Sequence, residues 1–204
     1  MSTPGRGRGG IRSVDDMSTP TQTDELAGKT VAFIATNGFE DSELTAPWQA
    51  VTDAGATAVM ISPALGDIEG KNGHRQHVDR TTAQTDAADF DALVLPGGVV
   101  NADNLRLDEA AVRLARDFFA QGKPVGAICH AGWLLVEAGV VEGRTMTSFP
   151  SLRTDLTNAG ASWVDEDVVV DEGFVSSRTP DDLPAFTAKL VEEIGEGTHD
   201  GQTA

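Results

Sequence analysis

Lys123-Pro-Val-Gly-Ala-Ile-Cys129-His130-Ala-Gly-Trp133-Leu-Leu-Val136 is the stretch on which the reading of this chain turns. Its first half is a short apolar run entered through a Gly-Lys-Pro turn, which reads as a buried parallel strand. Its second half puts Trp133, Leu134 and Val136 at helical spacing after small residues. Between the halves stands the only cysteine of the chain, followed at once by His130. A strand that turns sharply into a helix points its junction side chain out of the sheet, close to free backbone N–H groups and the positive end of the helix dipole. Those surroundings favour a thiolate and make the junction a cysteine counterpart of the hydrolase nucleophile elbow. A buried structural cysteine is the competing reading of the same residue.

Working outward, the same strand-then-helix grammar recurs. Thr30–Ala35 is a nearly continuous apolar run, suited to a central parallel strand. Asn37-Gly38 marks a loop after it, and Asp41 or Ser42 can cap a helix in which Glu43, in the first turn, suits the dipole. Ala56–Ile61 makes a second strand, and residues 66–80 alternate around Asn72-Gly73 as a small hairpin standing off the sheet. Ala92–Leu95 is a buried strand closed by Pro96-Gly97-Gly98, where two glycines leave main-chain N–H groups open to a ligand. Residues 101–106 read as a loop and 108–121 as a helix. Beyond the elbow, short strands around residues 145, 163, 169 and 175 lead to a final amphipathic helix begun at Pro180. The fold class this implies is α/β: a doubly wound, mostly parallel sheet between helices, flavodoxin-like, with the elbow at Cys129. Three loops then meet at the carboxyl ends of the strands: Gly38–Glu40, Gly97–Gly98 and Cys129–His130.

Composition narrows the functions. The chain has 204 residues with 32 Asp and Glu against 15 Lys and Arg, a formal charge of −17. That field opposes nucleic-acid and anionic-membrane partners, both of which need phosphate neutralisation. An acid-rich, lysine-poor surface resembles those of proteins from salt-loving organisms, where counterions screen self-repulsion. One cysteine rules out an internal disulfide and fits a reducing cytoplasm. No run of 18 apolar residues is present, and no apolar segment follows the basic start, so neither a membrane span nor a secretory signal is expected. Residues 1–27 and 197–204 are expected to be disordered tails around a domain at 28–196. Met-Ser-Thr-Pro occurs at residue 1 and again at Met17, the expected biological start. His74 and His77 read as solvated hairpin residues, His199 as part of a frayed tail, and the three tryptophans as core. No metal site is expected, because Cys129-His130 has no further ligands at usable spacing. No nucleotide-binding glycine pattern is present either.

Six segments carry a resemblance to a known family. They are Phe39-Glu40-Asp41-Ser-Glu43, Phe90–Gly98, Ala127-Ile-Cys-His130, Asn158-Ala-Gly160, Val168–Asp171 and Ser177–Leu183. Together, over residues 29 to 195, they resemble the PfpI family of the class I glutamine amidotransferase-like superfamily, which includes intracellular proteases, stress proteins and deglycases. The resemblance implies that Cys129 is the nucleophile and that Glu40 is the acid that hydrogen-bonds it and shuttles a proton. It implies that His130 is the adjacent histidine, whose acidic partner, nearest to Asp103 here, comes from a neighbouring subunit. Backbone N–H groups of Gly98 and His130 would form an oxyanion hole, with Gly97, Gly98 and Ala131 against substrate. Two departures stand out: Ala131-Gly132 replaces the Gly-Pro of many relatives, and Phe149 stands where some carry tyrosine.

Three functions follow from that resemblance. The leading one is a cofactor-independent enzyme of glyoxalase III or deglycase type, acting on a small reactive carbonyl or a glycated protein or peptide. The second is a cysteine peptidase dependent on His130. The third is a redox-sensing or chaperone stress protein with little turnover. Amidotransferase activity is disfavoured, since no His-x-Glu follows Cys129. A homo-oligomer, dimer or hexamer, is implied as well.

Overall fold

The computed structural model describes residues 1–2, 24–202 and 204. The fold is the expected doubly wound sandwich. Its seven-stranded sheet is formed by β1 (Thr30–Ile34), β2 (Thr57–Ser62), β5 (Arg80–Thr81), β6 (Ala92–Leu95), β7 (Val125–Ile128), β10 (Val168–Asp171) and β11 (Phe174–Ser177). Their spatial order is β10-β11-β7-β6-β1-β2-β5, and β10 alone runs antiparallel. The apolar runs read as strands are buried on both faces, as a parallel sheet between helices requires. Val31 and Phe33 pack with α1 (Asp41–Asp53) and α6 (Leu183–Glu196), while Ala32 and Ile34 pack with α3 (Glu109–Ala120) and α4 (Gly132–Ala138). Asp108 caps α3 by accepting the Ala111 N–H at 2.7 Å, and Thr179 with Asp182 forms a capping box ahead of α6.

The hairpin of β3 (Gly66–Glu69) and β4 (Arg75–Val78) stands apart from the main sheet, as expected. A second small sheet pairs β8 (Thr145–Met146) with β9 (Ser162–Trp163) on either side of α5 (Arg153–Asn158).

Strand order reverses between β1 and β6, so the loops that follow them open a crevice at the carboxyl edge. Asn101 ties those loops together. Fully buried, its Oδ1 accepts the Thr36 N–H at 2.7 Å, and its Nδ2 donates to the carbonyls of Pro96 and Gly97 at 3.0 Å each. Asn101 also explains one correction. Residues 101–106, read as a loop, lie largely within helix α2 (Val99–Leu105). The segment is seven residues long, and its inner face joins a buried hydrogen-bonding asparagine to only two apolar residues, Ala102 and Leu105.

The expected tails are also corrected where they are described. The N-terminal tail falls mostly outside the described residues. At its inner edge Leu26 is fully buried, and its N–H donates to the Ala54 carbonyl at 2.7 Å. At the other end the His199 N–H donates to Gly122 O at 2.7 Å and Gln202 is buried, so residues 197–202 pack on the domain. Polar composition hid a segment held mainly by backbone hydrogen bonds.

Asn101→Ala would strip its bonds from the Thr36 N–H and the Pro96 and Gly97 carbonyls, of which Gly97 keeps the Glu40 N–H. The expected loss is about 2–4 kcal/mol of unfolding free energy, read as a lower urea midpoint with an unchanged slope.

Candidate active site

Cys129 ends β7 and opens the one-turn 3-10 segment Cys129–Ala131 that feeds α4. Its φ is +61°, a left-handed conformation that a non-glycine residue adopts at a cost of about 1–3 kcal/mol. The surroundings enforce it: the Cys129 carbonyl accepts the Phe149 N–H at 3.2 Å, and β7 is paired on both sides. The side chain is 8% exposed, and the backbone N–H groups of Gly98 and His130 donate toward its sulfur.

Beside the sulfur lies Glu43, fully buried in the first turn of α1. Its Oε2 accepts the Gly97 N–H at 2.9 Å, Oε1 has no hydrogen-bond partner among the described residues, and the carboxyl lies against the Cys129 side chain. Burial raises the Glu43 pKa to about 7 against the opposing pull of Gly97 and Cys129. Burial, and then the Glu43 charge, push the thiol up to about 12. The two acids titrate as a unit: below about pH 7 both keep their protons, and above it they hold one proton and one negative charge between them. With the proton on Glu43, its O–H donates to a thiolate that also receives two backbone N–H groups.

The acid beside the elbow cysteine is therefore Glu43. Glu40, expected there, precedes the helix and turns to the hairpin, where it meets Lys71 Nζ and accepts from Asn72 Nδ2 at 3.3 Å. A signal for this was present in the sequence. Glu43 falls at i, i+4 and i+8 with Pro47 and Val51 on the buried stripe of α1, whereas Glu40 is off the helix.

The other expected residues separate similarly. His130 Nδ1 lies 3.1 Å from Cys129 Sγ, and Nε2 lies 3.3 Å from Ser151 Oγ. The ring stacks on Phe149, centroids 4.7 Å apart, and meets Trp133 edge-on. Burial, then the nearby Lys71 charge, lower its pKa, so it is neutral at pH 7. Gly98 lines the cleft, but the Gly97 N–H is spent on Glu43 and not on a ligand. A Cβ at Gly97 would sit 2.4 Å from Glu43 Oε2, and one at Gly98 2.4 Å from Gly38 O. Both positions require glycine because the loops of β1, β6 and β7 meet there without room for another atom. Ala131, expected against substrate, is buried in the core. Asp103 lies on the exposed side of α2 and does not reach His130 within the subunit.

These groups surround a cleft of about 490 Å³ whose wall also includes Lys71, Val99, Val100, Phe149 and Pro180. Lys71 comes from the β3–β4 turn and Pro180 from the 3-10 turn ahead of α6, and neither is expected in the site from the sequence. Among the described residues, the one trio able to share a metal ion is Glu193, Glu196 and His199, outside this cleft.

The sheet that carries this site has known relatives. Residues 29–193 match the DJ-1/PfpI family. The chain belongs to that family. It is 44% identical over 162 residues to a deglycase of Pyrococcus horikoshii, covering 79% of this chain and 97% of the relative. It is 42% identical over 170 residues to protein/nucleic acid deglycase 2 of Escherichia coli, covering 82% and 98%. A crystal structure of a two-domain protein from Anabaena variabilis, with DJ-1/ThiJ/PfpI-like and ferritin-like domains, superposes with a TM-score of 0.80 at 33% identity. That match covers 86% of this chain and 50% of the longer one.

The raised Glu43 pKa has a defined effect on stability. Between the ordinary value of 4.5 and about 7 the native state binds more protons than the unfolded chain, so stability falls as pH rises through that window. Glu43→Gln removes the penalty. Its stability relative to wild type is expected to improve between pH 4 and pH 8 by on the order of 3 kcal/mol, followed by denaturant titration at each pH.

Proposed function

We propose that this family member is a cofactor-independent cysteine enzyme acting on reactive carbonyls, as a glyoxalase III-like enzyme or protein deglycase. The observation that carries the reading is the buried Glu43–Cys129 contact beneath the N–H groups of Gly98 and His130. The deglycase names of its relatives support the same class.

The chemistry closes with these groups alone. The Cys129 thiolate adds to the aldehyde carbon of an α-oxoaldehyde, and the carbonyl electron pair becomes an alkoxide received by the two N–H donors and protonated by Glu43. The glutamate, now a carboxylate, takes the C1 proton of the hemithioacetal and returns it to C2 through the enediol, leaving a thioester of the 2-hydroxy acid. Water attacks the thioester, releasing the acid and restoring the thiol. With a glycated amine, the thiolate displaces the protonated nitrogen from the carbinol carbon, which frees the amine and gives the same hemithioacetal.

A peptidase reading draws on the 3.1 Å approach of His130 Nδ1 to the sulfur. It makes His130 the base, with Asp103 of a second subunit as its orienting acid. The homo-oligomer we propose is supported by the exposed Val99, Val100 and Leu107 on and just beyond α2. Cytoplasmic and salt-adapted life are supported by the single free cysteine and the acid excess. No helix among the described residues is long and apolar enough to cross a membrane.

Methylglyoxal consumption and lactate release, measured in molar salt without thiol or metal, test the proposal. Cys129→Ala and Glu43→Gln are each expected to reduce kcat/KM by at least about 10³-fold, while Glu40→Gln retains measurable turnover. Turnover that survives Cys129→Ala overturns the assignment. The wild-type kcat/KM is expected to rise through an apparent pKa near 7, as the paired acids lose their first proton. A peptidase would instead show peptide cleavage abolished by His130→Ala.

A further inference from the structure

Glu40 poses a separate question, because its side chain is only 11% exposed, lines the cleft that holds Cys129, and turns to the hairpin. Two side chains of the hairpin turn satisfy it. Asn72 Nδ2 donates to Oε1 at a long 3.3 Å, and the Lys71 ammonium meets Oε2. The partners differ in kind. Glu40 is held deep in the wall, whereas the Lys71 side chain is 55% exposed and reaches in from the mouth. Among the described residues, Lys71 is also the only lysine or arginine lining the cleft.

The turn that carries Lys71 is pinned independently of this contact. The Lys71 N–H donates to Phe39 O at 2.9 Å, and Asp41 accepts the N–H groups of Asn72 and His74 at 2.9 and 2.7 Å. Withdrawing the lysine side chain therefore leaves the backbone in place. An ion pair with one partner in solvent is weak and exchangeable, but a nearly buried carboxylate without any cation is costly. Such a group will accept another ammonium wherever one can reach it.

We propose that Glu40 is the seat for the ammonium group of an amine-bearing substrate or product, and that Lys71 is an internal occupant which the incoming amine displaces. The ligand class is a primary alkylammonium on a flexible stem, the chemistry that Lys71 itself presents to Glu40. A lysine side chain released from its carbonyl adduct is such a group, so the inference extends the carbonyl reading above and names the amine half of its substrate. A free dicarbonyl carries no cation and gains nothing from this seat. Glu40 thus separates adducts of amines from free aldehydes, while Glu43 and Cys129 serve both.

The test is binding of Nα-acetyl-lysine methylamide, with its uncharged norleucine analogue as control, followed by calorimetry and by protection of Cys129 from iodoacetamide. Lys71→Met is expected to bind the lysine compound about tenfold more tightly than wild type, and the gain to shrink as salt rises. Glu40→Gln and the double variant are expected to lose the preference for lysine over norleucine. Lys71→Met binding no tighter than wild type, or a double variant that keeps the preference, overturns the seat. The lysine result stands without the glutamate variants, so a folding defect in those does not blunt it. In turnover, the ratio of kcat/KM for methylglyoxal-modified Nα-acetyl-lysine to that for methylglyoxal should rise in Lys71→Met and fall in Glu40→Gln. If no variant turns over any carbonyl while the binding order holds, the carbonyl reading fails and the seat is upheld. If carbonyls turn over with an unchanged ratio and no binding difference, the seat fails and the carbonyl reading survives.

Discussion

The contact between Glu43 and Cys129 is the constraint around which the molecule is arranged. Two acids, each nearly shut from water, share a small volume and cannot both be charged there at modest cost. Holding them together needs the start of α1, the end of β6 and the end of β7 to converge within one side chain's reach. Gly97 and Gly98 make that approach sterically possible, Asn101 locks the loops of β1 and β6, and the left-handed backbone at Cys129 aims the sulfur inward. The strain at the elbow and the burial of Glu43 both oppose folding. The remainder of the sheet, buried on both faces, has to outweigh them.

The same constraint divides labour between two glutamates three residues apart. Glu43 faces the core, so burial makes it a proton donor matched to neutral pH. Glu40 faces the hairpin, where it meets the Lys71 ammonium and accepts from Asn72. One helical turn separates a group suited to moving protons from one suited to holding a cation. In a chain with a net charge of −17, the lysine of the cleft is a local exception to the surface field. Its placement also helps keep His130 neutral, since a nearby positive charge disfavours the imidazolium.

Much of this was legible before any coordinates. Continuous apolar runs announced parallel strands, turn residues closed them, and the cysteine at a strand-to-helix junction announced the elbow. The errors are informative. Choosing Glu40 over Glu43 followed a motif in which both acids occur, and helical phase with Pro47 and Val51 would have separated them. Helix α2 is hard to read because it is short and its inner face mixes a buried asparagine with Ala102 and Leu105. The packed end of the chain at 197–202 was missed because its anchors include backbone hydrogen bonds, which composition does not reveal.

By itself the sequence determined the layered architecture, the place of the lone cysteine at a strand-to-helix junction and the acidity of the chain. Those properties follow from local periodicity, one unique residue and total charge. Only the tertiary structure decided which carboxyl meets the thiol, which glycine N–H serves the glutamate and which the sulfur, and that a lysine from a distant hairpin occupies the cleft. Each of these depends on where separate loops come to rest against one another. A few ångströms there set desolvation and hydrogen bonding, and so decide whether a carboxyl carries a proton or a charge.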